Sequence, residues 1–175
     1  KLDVVVEDGD EIVHLMEHLY RILQFKHNVL YIINVSGEIE YLEGTFKHKG
    51  INNPGAACKT DFGIVWANNF GCYLYDGSNV TNLLEKGGRL LISNTVWNTF
   101  LGTSIHHRVG YNPFKRQVII LQGTSGSAGF VFNMPTQSWT KSNSMVTDGD
   151  SGCNLINDPV DGSLLAFDDG NNTID

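Results

Sequence analysis

The sequence repeats one pattern along its length: a short apolar run, a tight polar turn and a second apolar run that carries aromatic residues. The pattern occupies residues 21–33, 63–75 and 117–132, and it begins again at residue 163. Equivalent positions are about 42, 54 and 46 residues apart. A unit of this kind cannot bury both of its own faces, so the repeat predicts that successive units stack against one another.

Each repeat has room for four short strands. Polar, Pro/Gly or Asn-Pro turns precede the apolar runs. First strands are expected at residues 11–15, 56–59, 107–111 and 153–156, and outer fourth strands at 38–42, 79–83 and 137–140. A period of 40–50 residues with about four strands per period is typical of a β-propeller. The predicted fold is all-β, a partial β-propeller of about three blades and the start of a fourth, spanning residues 1–175.

The strands differ in their hydropathy patterns. The second and third strands of each repeat are almost continuously apolar, which is typical of strands buried on both faces between stacked sheets. The first outer strand alternates instead, with Ile39 and Tyr41 on one face and Glu38 and Glu40 on the other. That alternation predicts a solvent-exposed edge whose charges discourage edge-to-edge pairing.

The long middle interval contains an inserted segment, residues 85–103. A helix is predicted over residues 94–101, because Ser93 or Asn94 can cap it and apolar residues follow at helical spacing. Trp97 and Phe100 are expected to pack this helix on the outer edge of the propeller. The segment is interpreted as a helical insertion between the second and third blades.

Charge and hydropathy argue against a nucleic-acid surface and a membrane span. The net charge is −7 and the twelve Lys and Arg residues are scattered, so no sequence-specific nucleic-acid surface is predicted. No apolar stretch approaches 18 residues, so no membrane span is predicted. The chain begins at Lys1 rather than Met and ends at Asp175, just after a turn that should open another strand. It is therefore expected to be a piece of a longer chain.

The potential metal ligands do not form a recognisable site. Cys58, Cys72 and Cys153 are far apart and are interpreted as buried free thiols. The six histidines show neither an H-E-x-x-H motif nor helical ligand spacing; they are His14, His18, His27, His48, His106 and His107. No metal and no cofactor are predicted.

The candidate catalytic motifs are also incomplete. Residues 123–126 are one position out of register for a nucleophile elbow, and residues 123–129 are interpreted as a flexible Gly/Ser loop. The acidic runs at 148–150 and 168–171 lack the remaining positions of a calcium loop and are interpreted as turns. No catalytic, cofactor-binding or metal residue is assigned, and the chain is not expected to be an enzyme.

A family resemblance is found in several segments of the chain. One of them is Lys59-Thr60-Asp61-Phe62-Gly63-Ile64-Val65-Trp66. The others are residues 9–13, 21–26, 30–36, 41–43, 71–77, 130–133 and 136–139. Together they resemble a region of virion structural proteins of tailed bacteriophages, especially marine phages. The resemblance covers most of the chain and lies in blade-like patterns. It implies a structural component of the virion tail, such as a nozzle or hub subunit below the portal, assembled as a ring of identical copies with other tail proteins.

Two other functions stay open from the residues alone. A non-viral interaction propeller of the kelch or WD type would need blade signatures that this chain lacks. A glycan-binding or depolymerising tail-spike propeller would need exposed aromatic side chains beside a carboxylate pair. The one compact acidic and aromatic group is Glu38, Glu40, Tyr41 and Glu43, which is interpreted as an exposed outer strand.

Overall fold

The computed structural model describes residues 9–102, 106–122, 128–143, 145 and 154–167. These residues form an all-β structure of antiparallel sheets with one α-helix. The first sheet contains β1 (Ile12–His18), β2 (Arg21–Lys26), β3 (Val29–Asn34) and β4 (Tyr41–Lys47). The second sheet contains β5 (Ala57–Thr60), β6 (Gly63–Asn68), β7 (Gly71–Tyr75) and β8 (Val80–Asn82), preceded by a 3₁₀ turn at Pro54–Ala56.

The second half of the chain continues the same order. A short hairpin of β9 (Glu85–Lys86) and β10 (Arg89–Leu90) precedes the helix α1 (Asn94–Leu101). The third sheet contains β11 (Arg108–Asn112), β12 (Gln117–Leu121), β13 (Gly129–Asn133) and β14 (Ser138–Ser142). The last hairpin consists of β15 (Asn154–Asn157) and β16 (Leu164–Phe167). Each four-stranded sheet is a meander in which every strand pairs with the next one along the chain.

The second sheet is covered on both faces because alternate residues of its strands point to opposite sides. On one side Ile64 and Trp66 pack with Leu23 and Phe25 of the first sheet. On the other side, residues such as Val65 belong to the larger core shared with the third sheet and α1. The nearly continuous apolar runs are therefore explained by burial on two faces, as predicted.

The first strands of successive sheets lie side by side. β5 contacts β11, and β11 contacts β15. β5 and β11 run in the same direction. Arg108 at the start of β11 donates to Asn53, which lies just before the 3₁₀ turn, and Tyr111 near the end of β11 donates to Asp61 in the β5–β6 turn. The meanders therefore repeat their orientation from one sheet to the next.

The first outer strand is the main error of the sequence prediction. A strand was expected at residues 38–42, whereas β4 begins at Tyr41 and continues to Lys47. Asn34 ends β3 and accepts hydrogen bonds from the backbone N–H and the hydroxyl of Ser36, which turns the chain into a loop that keeps Glu38 and Glu40 outside the sheet. A register shift between Ile32 and Ile33 in the pairing with β4 adds a further irregularity.

The helix prediction is confirmed at residues 94–101, and Trp97 contacts Phe130 of β13 and Trp139 of β14, the third and fourth strands of the third sheet. The Ser93 hydroxyl accepts the N–H of Val96 at 3.3 Å, and Gly102 follows the last turn with a φ of +58°. Trp97 and Phe100 are buried in the core between the second and third sheets. The segment also contains the β9–β10 hairpin, which was not predicted, and it contributes to the core.

Candidate functional site

Polar side chains on and beside the adjacent first strands connect one sheet to the next. We call it the first-strand row and define it as Glu17, Lys59, Asp61, Tyr111 and Asn157. These side chains come from β1, β5, the β5–β6 turn, β11 and β15, so the row crosses all the sheets that the structure describes except the β9–β10 hairpin.

The strongest contact in the row joins Asp61 and Tyr111. The Tyr111 hydroxyl donates to Asp61 Oδ2 at 2.9 Å. Burial raises the pKa of Tyr111 to about 12, and the hydrogen bond and negative charge of Asp61 add to the shift. The phenol therefore keeps its proton at neutral pH and acts as a hydrogen-bond donor to a carboxylate, which ties the β5–β6 turn to β11.

The row continues on either side of this pair. Asn157 Nδ2 donates to the backbone carbonyl of Tyr111 at 2.9 Å, which ties β15 to β11. Lys59 Nζ lies 3.5 Å from Glu17 Oε2 and connects β5 with β1. Both partners of this ion pair are largely exposed, so it contributes at most about 1 kcal/mol.

A second tie joins the beginnings of β5 and β11. Arg108 Nη1 donates to Asn53 Oδ1 at 2.9 Å and to the carbonyl of His106 at 2.6 Å. Asn53 Nδ2 in turn donates to the carbonyl of His107 at 3.2 Å. The guanidinium thus donates to groups in the segments that precede β5 and β11, which holds the beginnings of these two strands together.

The histidines are dispersed over the fold. His14 and His18 lie in β1, His27 in the β2–β3 turn, and His48 after β4, where its ring stacks on Phe70 with centroids 5.0 Å apart. His107 is fully buried with Nε2 2.8 Å from the carbonyl oxygen of Ala67. Among the described residues no group of three or more His, Cys, Asp or Glu side chains could hold a metal ion.

The cysteines that the structure describes are poor nucleophiles. Cys58 and Cys72 are free thiols, as predicted; Cys72 is buried, whereas Cys58 is half-buried. Burial raises the pKa of Cys58 to about 12 and raises that of Cys72 well above its ordinary value. Both groups remain protonated at neutral pH, whereas a nucleophilic cysteine needs its thiolate. Cys153 lies outside the described residues.

The acidic and aromatic group of the first sheet divides into two parts. Glu43 Oε2 accepts from Asn34 Nδ2 at 2.6 Å and from Arg21 Nε at 3.2 Å, and the same amide also donates to the Tyr41 hydroxyl at 3.0 Å. Glu38 and Glu40 are exposed in the loop before β4. Glu43 is therefore engaged in a network that fixes the β3–β4 connection.

The incomplete motifs of the sequence fall on other segments. Residues 123–127, 148–150 and 168–171 lie outside the described residues, so their interpretation as a loop and turns stays a prediction. Within the described part of the chain, no helix is long and apolar enough to cross a membrane.

No sequence pattern predicted the first-strand row, because its partners are 42 to 50 residues apart and belong to different repeats. A tyrosine near the end of a strand and an aspartate in a turn are each common. The sequence matches no protein-family model, and no curated protein matches it.

Proposed function

We propose that this chain is a segment of a β-propeller and acts by assembly, as a structural component of a tailed-bacteriophage virion. The observation that carries the proposal is the repeated arrangement of the sheets. Three four-stranded meanders and a further hairpin follow one another with their first strands adjacent and in one direction. In a β-propeller each sheet is one blade, and the blades are arranged radially around an axis with their first strands nearest to it.

Assembly is part of the proposal because the described sheets are too few to close a propeller. Within the described residues the first sheet packs against the second, and the β15–β16 hairpin packs against β11. Closed propellers typically have four to eight blades, so further sheets are needed to complete a ring. Other segments of the parent chain or further copies of this chain would supply them.

The chemistry of the described residues favours a scaffold. Asp61, Arg108 and Glu43 are held by hydrogen bonds that tie strands and loops together, and the free thiols have raised pKa values. The net charge of −7 suits a conduit for DNA, because an acidic surface repels phosphates over roughly 8 Å at physiological ionic strength. A nozzle or hub subunit of the tail, the role implied by the family resemblance, combines these properties.

The test is to locate the chain in its native particle. An antibody against the exposed loop at residues 35–40 should label the tail of the particle, and image averaging should show the protein as a ring of identical copies. Detection only in infected or host cells, and not in purified particles, would refute the virion assignment. A purified chain that cleaves a bacterial polysaccharide would refute the assignment as a scaffold.

A further inference from the structure

The first sheet has an outer face, which is the face away from the second sheet. Alternate residues of a strand point to opposite sides, so Phe25 of the shared core faces the second sheet and its neighbour Gln24 faces outward. Cross-strand pairing places one residue of each strand in the outward row of Gln24, namely Leu15, Gln24, Tyr31 and Thr45. The row therefore crosses the whole outer face from β1 to β4.

The outer face is buried at its centre and exposed at its margins. Gln24 is 7% exposed and Tyr31 is 4% exposed, whereas Leu15 is 55% exposed and Thr45 is exposed as well. In the neighbouring row Ile33 is 8% exposed. Tyr31 and Ile33 nevertheless belong to neither of the two hydrophobic cores that the described residues form. A sheet face in contact with water leaves its central side chains partly exposed, so this burial indicates a narrow cover over β2 and β3.

The chain that leads into β1 is fixed beside these two strands. The Asp10 carboxylate accepts the backbone N–H groups of His27 at 3.1 Å and Asn28 at 2.8 Å, both in the β2–β3 turn. Hydrogen bonds to an ionised acceptor are stronger than those between neutral groups. Gly9 precedes this anchor and has a φ of +70°, a conformation that glycine adopts readily and that redirects the chain. The chain before Gly9 therefore starts at the end of the first sheet where β2 turns into β3.

Residues 2–7, just before this anchor, alternate in the way that suits an extended segment with one buried side. One side carries the apolar Leu2, Val4 and Val6, and the other side carries both acidic residues, Asp3 and Glu7. Valine also favours extended backbone because it is β-branched. Six extended residues span about 20 Å, the length of β2, which has six residues as well.

We propose that residues 2–7, which lie outside the described residues, cover the outer face of the first sheet along β2 and β3 and thereby block the surface on which a further sheet would pack. The other stretches of six or more residues outside the described ranges are 146–153 and 168–175. Each contains at least two acidic residues and no run of apolar residues, so neither suits an apolar face.

The blocking role rests on the proposed function, because a ring needs contacts between the faces of neighbouring sheets. The outer face of the first sheet is one end of the series, so a further sheet has to pack there. Residues 2–7 would have to leave before that sheet could bind. The segment would thus keep the free chain unassembled until the ring forms.

Nitration of the tyrosines in the 175-residue chain, mapped by mass spectrometry, tests the cover. Tyr31 should be protected in the wild type, while Tyr20, which is 71% exposed, reacts. Val4→Asp places a charge on the buried side of the segment, so nitration of Tyr31 should rise at least about tenfold as the cover opens. Val5→Asp is the matched control, because it places the same charge on the side that faces water and should leave Tyr31 protected. Tyr73, in the core between the first and second sheets, should stay protected in both variants.

Equal nitration of Tyr31 in the two variants would overturn the proposal. Photo-cross-linking gives an answer even if Val4→Asp loses its fold and Tyr73 reacts too. A diazirine amino acid at position 4 should couple to residues 21–34 of the same chain, and the same group at position 5 should not. Coupling from position 4 only to other segments, or only between copies, would overturn the cover.

Sedimentation tests the blocking role. Val4→Asp should associate at a concentration at least about tenfold lower than the wild type, because it opens an apolar face, and Val5→Asp should match the wild type. Exposure of Tyr31 without any gain in association would overturn the blocking role. Absence of the chain from purified virions would refute the proposed function and would leave the nitration and cross-linking results unchanged.

Discussion

Replacing Trp97 tests whether α1 is part of the core. The indole is 1% exposed and lies among Phe100, Phe130 and Trp139, with ring centroids 5.9 Å away in each case. Its Nε1 donates to the carbonyl of Asn68 at 2.8 Å. Trp97→Ala should therefore destabilise the fold by about 3–5 kcal/mol, from the lost burial, the cavity and the broken hydrogen bond. Total stabilities of about 5–15 kcal/mol make this a large effect.

Urea unfolding followed by circular dichroism measures the change. With a slope of about 2 kcal/mol per molar, the midpoint should fall by about 2 M. Trp97→Phe keeps much of the ring packing but leaves the Asn68 carbonyl without this donor, so it should cost about 1–3 kcal/mol. Val96→Ala is the control, because Val96 is 47% exposed on the same helix and should shift the midpoint by less than about 0.5 M.

A midpoint for Trp97→Ala equal to that of Val96→Ala would refute the assignment of α1 to the core. The same reasoning applies to a deletion of residues 94–101. Because Trp97, Phe100 and Leu101 are buried in the core of the second and third sheets, the deletion should reduce the β signal in far-UV circular dichroism, while the first and second sheets keep their separate core.

Three further predictions concern the second sheet. Gly63 has a φ of +131°, and a Cβ there would lie 2.0 Å from the carbonyl oxygen of Tyr75. Gly63→Ala should therefore lower the free energy of unfolding in urea by about 3 kcal/mol or more. Gly37→Ala is the near-neutral control, because a Cβ on Gly37 would meet no atom closer than 4.0 Å. Because burial raises the pKa values of Cys58 and Cys72, both thiols should resist iodoacetamide at pH 8 in the folded protein and react in urea, as mapped by mass spectrometry. Comparable labelling of Cys72 in the two conditions would contradict this. The same shifts predict that stability declines as the pH rises above about 9, since the unfolded thiols ionise first.

The local elements were predictable because local chemistry specifies them. The hairpins of second and third strands follow the apolar runs and turns of the repeat. Each third strand ends in, or is directly followed by, an Asn or Asp whose side chain accepts a backbone N–H two or three residues later. These residues are Asn34, Asp76 and Asn133, with acceptor contacts of 2.8 to 3.0 Å. Such a turn depends on neighbouring residues only, so the sequence contains its signal.

The errors arise where local signals compete or where the partners are distant. Residues 38–42 alternate like a strand, yet the Asn34 turn extends the loop to residue 40. The β9–β10 hairpin was missed although Gly87-Gly88 is a two-residue turn signal. The first-strand row depends on which strands become neighbours, and no pattern within one repeat contains that information.

The position of α1 follows from the two different faces of the second sheet. Towards the first sheet it presents Trp66 and Tyr73, which fill the space against Phe25. Towards the third sheet it presents the smaller Val65, Ala67 and Cys72, and the core there includes Trp97 and Phe100 of the helix.

Small side chains on one face leave space between two sheets, and interiors are packed too densely to leave it empty. The inserted segment supplies the missing volume, which accounts both for the long middle interval of the repeat and for its aromatic residues. The inserted segment that lengthens the middle interval is thus needed to fill the space between the second and third sheets. Removing the helix should therefore separate the second and third sheets while the interface between the first and second sheets keeps its own aromatic core.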